Sequence, residues 1–306
     1  MIVRRGAFVL PAVLLALVVA GCGAEPEPGE ERLPAPEPAP SSAPSATPEP
    51  DATPAPTPAP TVPPDSGGQP EVAVPVYYVA ETAAGFRLQR EFHRVATADP
   101  ASAAVREMLA APTGHDPEYR SHWPEATDLR TPVARESGVI VVDLGGVGPA
   151  QVGTQLAHLT VQQLVFTVQG ALQSTDPVRI LVDGREVPEL WGAVDTSAPV
   201  ERGDPYALRS LVQIDAPAHG AEVGREVEVR GEAAVFEATV LWEVLRDGAL
   251  VQKGSTSTAA GMQFAPFSFT VALEPGTYTV RIREDDPSGG EGRPVLTDDK
   301  TFTVTG

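Results

Sequence analysis

Prolines crowd into one stretch near the start of the chain. The 306 residues include 33 prolines, and 16 of these fall between Pro26 and Pro70. The stretch is otherwise Ala, Glu, Thr and Ser with almost no large apolar side chain, so it buries too little surface to offset the entropy of ordering. We therefore predict a disordered spacer, which leaves about 236 residues for folded domains.

The spacer is also extended and acidic. Repeated Ala-Pro and Thr-Pro pairs favour polyproline II, and the 48 residues from Gly23 to Pro70, at about 3.1 Å each, reach at most roughly 150 Å. Its eight acids against Arg32 give a net charge of −7, which extends it further. We expect it to hold the folded part away from a bilayer. Docking of a Pro-x-x-Pro motif to a partner is the alternative.

The first 21 residues have the pattern of a secretory signal peptide. Arg4 and Arg5 precede an apolar run over 7–20 that is too short to span a membrane. The tripeptide 19–21, Val-Ala-Gly, directly before Cys22 resembles the lipobox of bacterial lipoproteins. This resemblance implies cleavage before Cys22 and lipidation of its thiol, and hence a protein anchored to the extracytoplasmic face of the cell membrane. An ordinary signal peptide with an incidental cysteine is the alternative.

Charge and cysteine content exclude several classes of protein. The net charge of −19 and pI of about 4.6 argue against a nucleic-acid partner, because phosphates require a basic face. Cys22 is the single cysteine, which rules out a disulfide framework and a multi-cysteine zinc site. From residue 71 onward the chain has 19 basic and 33 acidic side chains. Direct adhesion to anionic lipid or teichoic acid is therefore not expected without a bridging cation.

The segment 71–205 has an α/β pattern. Alternation predicts paired strands over 72–79 and 88–95, and apolar runs predict strands over 139–144 and 178–182. Asp99-Pro100 predicts the start of one helix, and an apolar stripe from Val161 to Leu172 predicts a second. We therefore predict an α/β domain, a sheet with two helices.

Two features of this segment suggest chemistry. Glycines at 145, 146 and 148 after a strand imitate a dinucleotide-binding turn, but Gln151 replaces the third glycine of the motif, so we interpret them as turn residues. A local cluster suggests a divalent metal, but it has no helical histidine pair and runs between prolines, so we expect solvated loop side chains. Its members are His115, Asp116, Glu118 and His122.

The segment 206–306 has an all-β pattern. About seven short alternating runs with turns between them, and no helical period, predict an antiparallel sandwich. Trp242 is expected to lie in its core. A group of acids near the last strands suggests a calcium site, although the residues do not follow the D-x-[DN]-x-[DN]-G order of a calcium-binding loop. The group is Glu284, Asp285, Asp286, Asp298 and Asp299.

Two resemblances follow from these patterns. Most of 72–204 resembles the GerMN domain of bacterial sporulation and germination proteins, through the segments 76–79, 108–109, 139–144, 164–167, 178–184 and 195–202. Nearly all of 212–305 resembles the immunoglobulin-like domain of bacterial spore-germination proteins, through 214–217, Gly220, 227–231, 236–240 and 247–248. The implied fold is α+β, a GerMN-like domain followed by an all-β immunoglobulin-like sandwich.

The expected organisation has four parts: a signal peptide (1–21), lipidated Cys22 with its linker (22–70), a GerMN-like domain (71–205) and an immunoglobulin-like domain (206–306). The resemblances imply a non-enzymatic binding or scaffold module of the cell envelope, with envelope proteins or cell-wall polymer as partners. We predict no catalytic residue, cofactor or metal site. A peptidoglycan hydrolase or other envelope enzyme is the main alternative, although nothing in the sequence places two carboxylates about a scissile bond. A solute-capture lipoprotein is a third class.

Overall fold

The computed structural model describes residues 69–149, 152–286, 288 and 291–306. The predicted signal peptide, Cys22 and almost all of the spacer lie outside these residues. The described residues belong to one compact unit. None of the helices in the described ranges is both long and apolar enough to cross a membrane.

The N-terminal part combines strands and helices as predicted. A long antiparallel hairpin comes first, and two further strands then pair in parallel through a helical crossover. In chain order the elements are β1 (Glu71–Thr82), β2 (Gly85–Ala96), α1 (Pro100–Ala110), β3 (Asp128–Leu129), β4 (Ala134–Glu136), β5 (Val139–Gly145), α2 (Thr154–Leu172), β6 (Val178–Val182), β7 (Arg185–Glu186), β8 (Glu189–Leu190), β9 (Val194–Asp195) and α3 (Pro205–Leu208).

Helix α1 forms where capping and periodicity coincide. The side chain of Asp99 accepts a hydrogen bond from the Ser102 backbone N–H at 3.1 Å, and Pro100 occupies the first turn. This arrangement satisfies an N–H group that a helix start leaves without a partner. The apolar stripe that includes Ala104, Val105 and Met108 is fully buried against β1 and α2.

The parallel strands β5 and β6 form the centre of the main sheet. β3 and β4 pair with β5, and β7 pairs with β6. At the end of β5 the chain turns through Gly146, whose φ is +64°. A Cβ atom there would overlap the carbonyl oxygen of Ala126. The glycine is thus required by the turn, as the sequence predicts, because only glycine adopts this backbone without strain and without that overlap.

The C-terminal part is an all-β sandwich, as predicted. One sheet has the strand order β10-β12-β15, and the other has β11-β17-β16-β13-β14. Val229 and Phe267 of the first sheet and Val240 and Phe302 of the second belong to its buried core. Trp242 is only partly buried and stacks on Phe269 at 4.7 Å between ring centroids. The strands are β10 (Val212–Ala216), β11 (Glu222–Val223), β12 (Glu226–Ala233), β13 (Thr239–Arg246), β14 (Ala249–Ser257), β15 (Ala265–Ala272), β16 (Gly276–Glu284) and β17 (Thr297–Val304).

A buried polar network joins the two parts. The Lys300 ammonium on β17 donates to Asp116 Oδ2 at 2.8 Å, to Tyr119 Oη at 2.6 Å and to Asp298 Oδ1 at 2.9 Å. Tyr119 Oη in turn donates to Asp298 Oδ1 at 2.6 Å, and Asp298 Oδ2 accepts the Ile214 backbone N–H. Burial raises the pKa of Tyr119 well above its ordinary value, and the negative charge of Asp298 adds to this shift. The phenol is therefore a neutral donor, and the loop that follows α1 is held to the sandwich.

Candidate functional site

Strand β2 carries different chemistry on its two faces. Side chains alternate along a strand, so Arg90, Phe92 and Arg94 lie on one face, whereas Glu91 and His93 lie on the other. The first face borders a groove against the sandwich. The second carries a cluster of histidines and carboxylates. Both are candidate functional sites.

The groove lies between the hairpin and the β10-β12-β15 sheet. Its volume is about 970 Å³. Its walls combine apolar, hydroxyl and charged side chains, which suits a ligand with several kinds of group. They include Ala73, Phe92 and Arg94 from the hairpin and Glu228, Arg230, Phe267 and Ser268 from the sheet.

A cluster of ion pairs lies at the edge of this groove. Arg90 binds Asp215 in a bidentate manner, at 2.8 Å through Nη2 and 3.2 Å through Nε, and its Nη1 lies 3.2 Å from Glu232. Arg209 Nη2 donates to the same Glu232 carboxylate at 2.6 Å. Burial opposes ionisation of Glu232, but Arg209 and Arg90 outweigh it and lower the pKa of that carboxyl. These charges compensate one another and hold β2 against β10 and β12.

Two arginines in the groove remain available. Arg94 and Arg230 are exposed, and neither has an ion pair or side-chain hydrogen bond with any residue that the structure describes. Phe92, between Arg90 and Arg94 on the same face, is 37% exposed. Free guanidinium groups bind carboxylates through two parallel hydrogen bonds. The groove therefore offers two anion-binding groups beside an apolar surface, on a protein that is acidic overall.

The cluster on the opposite face of β2 is built around Glu91. His93 Nε2 lies 3.1 Å and His115 Nδ1 3.8 Å from Glu91 Oε2. The backbone N–H groups of His115 and Asp116 each donate to the Glu91 carboxylate at 2.8 Å. On its other side, His93 Nδ1 lies 2.9 Å from Glu107 Oε2 on α1.

Burial and hydrogen bonds act in opposite directions on the pKa values of this cluster. Burial lowers the pKa of His93, but hydrogen bonds to Glu91 and Glu107 outweigh it and raise that pKa. Burial likewise raises the pKa of Glu91, and the hydrogen bonds from His93 and from the two backbone N–H groups lower it overall. The cluster thus combines Glu91, a carboxyl group of lowered pKa, with His93, an imidazole of raised pKa.

The candidate metal ligands of the loop contact different parts of the structure and do not form one site. His115 joins Glu91, whereas Asp116 accepts hydrogen bonds from Lys300 and from the Glu118 backbone N–H. His122 is half-buried, and burial with nearby Arg120 lowers its pKa. Within the described residues, a single group of three His, Cys, Asp or Glu side chains brings its ligand atoms within 4.8 Å of one another. Its members are Glu91, His93 and His115.

The acids that suggest a calcium site also lie in different parts of the sandwich. Glu284 is buried and accepts hydrogen bonds from Arg293, and Asp299 pairs with Arg281. Asp298 lies in the network around Lys300. Three of the five acids are thus already bound to cationic side chains at different places.

Sequence reasoning did not single out most residues of either site. Arg94 and Arg230 are 136 positions apart in the chain, and no local motif marks Glu91 as a ligand. The available signal was the alternation of charge and aromatic character along β2. That pattern separates its two faces but does not say what lies opposite each of them.

Comparison with known families confirms the resemblances. Residues 75–188 match the family described as "Sporulation and spore germination". Residues 211–291 match the family described as "Immunoglobulin-like domain of bacterial spore germination". The chain combines a GerMN domain with an immunoglobulin-like spore-germination domain. Comparison with curated proteins gives no match.

Several solved structures are similar to parts of this chain. Tandem GerMN domains of the sporulation protein GerM from Bacillus subtilis are 18% identical, with a TM-score of 0.33, over 47% of this chain and 48% of that one. The chain therefore spans about half the length of that structure. A putative lipoprotein from Clostridium perfringens is 16% identical, with a TM-score of 0.32, over 49% of this chain and 98% of that one.

Proposed function

We propose that this chain is a lipid-anchored lipoprotein on the extracytoplasmic face of the cell membrane and acts there as a non-enzymatic binding module. The groove between the hairpin and the sandwich binds an extended, carboxylate-bearing segment of an envelope protein. The observation that carries this proposal is that Arg94 and Arg230, beside Phe92, have no ion pair with any residue in the described ranges. The two domain families, one described by sporulation and spore germination and the other by bacterial spore germination, support a role in the envelope.

The groove chemistry favours binding over hydrolysis. The acids that line it are Asp215 and Glu228, and Arg90 holds Asp215 in a bidentate ion pair. A glycosidase needs two carboxylates about the scissile bond, one of them a proton donor. Both carboxylate oxygens of Asp215 are already bound by the Arg90 guanidinium, so the geometry does not present this acid as the proton donor. Recognition by Arg94 and Arg230 needs no such group.

The lipid anchor is the second component of the proposal. The lipobox pattern before Cys22 supports it, and the acidic, proline-rich spacer gives the folded part reach from the bilayer. A diacylglyceryl group carries two chains, which is enough for stable anchoring. Cys22→Ala is expected to move the protein from the membrane fraction to the soluble fraction. Unchanged fractionation would exclude an anchor at Cys22.

Binding in the groove can be measured with defined peptides. The full chain is titrated with fluorescent peptides that contain spaced Asp and Glu residues, and with the same peptides in Asn and Gln form. We expect binding of the acidic set and, in Arg94→Ser/Arg230→Ser, a loss of about tenfold for each arginine, because a charged hydrogen bond contributes about 1.5–3 kcal/mol.

The matched control is Arg106→Ser/Arg185→Ser, which removes two exposed arginines outside the groove. It is expected to bind the acidic peptides as the unmodified chain does. Equal affinity in both double variants would refute the proposal. Sedimentation with purified peptidoglycan that depends on Arg94 and Arg230, without peptide binding, would assign the groove to the cell wall instead.

A further inference from the structure

Three side chains from two separate segments converge on one point behind the groove. Glu91 and His93 are contributed by β2, and His115 by the loop after α1. Their ligand atoms all lie within 4.8 Å of one another. Two imidazoles and one carboxylate form a nitrogen and oxygen donor set that suits zinc and similar transition metals better than calcium or magnesium.

The distances are close to those that a bound ion requires. Metal–ligand bonds of about 2.0–2.2 Å in a tetrahedral site place neighbouring ligand atoms roughly 3.3–3.6 Å apart. His93 Nε2 and His115 Nδ1 lie 3.1 and 3.8 Å from Glu91 Oε2, on either side of that range. The rings of His93 and His115 are stacked, with 4.2 Å between centroids, so one ring must turn before both point at the same ion. The side chain of His115 is 49% exposed and is free to make that rotation.

Surrounding groups orient the other two donors. Glu107 Oε2 lies 2.9 Å from His93 Nδ1, where it accepts a hydrogen bond from Nδ1–H and leaves Nε2 facing Glu91. This carboxylate–histidine arrangement is the usual support of a metal-binding imidazole. The Glu91 carboxylate is fixed by two backbone N–H groups, and a Cβ atom on Gly114 would come within 2.5 Å of its Oε2. Both donors are therefore held in position before any ion binds.

We propose that Glu91, His93 and His115 bind one zinc-class transition-metal ion, with Glu107 as the positioning residue behind His93. The ion binds His93 Nε2 and Glu91 through their lone pairs, so any proton on Nε2 leaves to solvent as the ion binds. The exposure of His115 leaves a coordination position for water. The site lies on the face of β2 opposite the groove, and it ties β2 to the loop that carries Asp116 and Tyr119.

The test measures Zn²⁺ binding to the full chain, purified without a histidine tag, by calorimetry with Ca²⁺ as the comparison ion. We expect one Zn²⁺ per chain and no Ca²⁺ at the same concentration. Glu107→Ala is expected to weaken Zn²⁺ about tenfold, the usual effect of removing a supporting carboxylate. His115→Gln removes a ligand and is expected to weaken it further.

The control is His158→Gln, which removes an exposed histidine of α2 that lies away from the cluster. It is expected to retain full affinity. Visible absorption of Co²⁺ bound in place of Zn²⁺ reports on the ligand set, and it should change in His115→Gln but not in His158→Gln. Absence of stoichiometric Zn²⁺ binding, or equal binding by His115→Gln and His158→Gln, would overturn the proposal.

Discussion

Replacing Lys300 by methionine breaks the network that joins the GerMN domain to the sandwich. Lys300 is 1% exposed, and its ammonium contacts two carboxylates that are themselves buried, those of Asp116 and Asp298. Burial disfavours the charged ammonium, but Asp298 and Asp116 outweigh it and raise the pKa of Lys300. Methionine keeps the volume of the side chain but leaves both carboxylates without their cation.

The expected loss follows from burial. Removing one partner of a buried ion pair costs about 3–5 kcal/mol, because the remaining charge stays in a poorly solvated place. Tyr119 and the Ile214 N–H still donate to Asp298, so we expect a value near the lower end, about 3 kcal/mol. The comparison pair is Arg281–Asp299, whose side chains are 42% and 40% exposed. Arg281→Met is expected to cost at most about 1 kcal/mol.

Urea unfolding of both variants measures the difference, with the slope of the transition recorded as well as its midpoint. A second transition in Lys300→Met would show that the two domains then unfold separately. The double variant with Asp298→Asn is expected to lose less than the sum of the single losses, by about 0.5–3 kcal/mol, because the residues share one network. If Lys300→Met costs no more than Arg281→Met, the buried-charge reasoning is wrong.

Two further predictions concern the turn after β5 and the ion pairs beside the groove. Gly146→Ala should lower the free energy of unfolding by more than about 2 kcal/mol in thermal or urea unfolding, because the new Cβ atom meets the Ala126 carbonyl oxygen. Gly220 has a φ of +77° with open space around it, so Gly220→Ala should lower the free energy of unfolding by only about 1–2 kcal/mol. Because the pKa of Glu232 is lower in the folded protein, ionisation of this side chain stabilises the fold above the unfolded pKa of about 4.3. This stabilisation is lost as the pH falls through the lower pKa of the folded state. Glu232→Gln should therefore lie below the parent in stability at pH 7 and approach it on acidification below about pH 4.3, and a constant difference would contradict this.

Local pattern was enough to predict the main strands and helices, but not the short elements β3, β4, β7, β8, β9 and α3. The buried stripe with Val105 and Met108, the cap at Asp99 and the apolar run of β5 each depend on neighbours within a few positions. The sandwich was predicted for the same reason, from alternation within short strands. Trp242 shows the limit of that reasoning, because its place on β13 was clear but its partial burial depends on Phe269 in the facing sheet.

The candidate sites depend on contacts that local pattern does not contain. Asp116 and Lys300 are separated by 184 positions, and no spacing rule connects them. The acidic and histidine-rich loop looked like one cluster because its members are adjacent in sequence. In irregular backbone, adjacent side chains point in different directions, so His115 turns to Glu91 while Asp116 turns to the sandwich.

The register of one hairpin determines both proposed sites. β1 and β2 are joined by two residues, and Thr82 Oγ1 donates to the Gly85 carbonyl oxygen across that turn at 2.6 Å. Loop length fixes the register of a hairpin, and a shift of one residue moves every side chain to the opposite face. Such a shift would exchange the groove residue Arg94 with the cluster residue His93. The turn therefore controls two surfaces at once, and a ligand in the groove and an ion behind it would stabilise the same strand without touching one another.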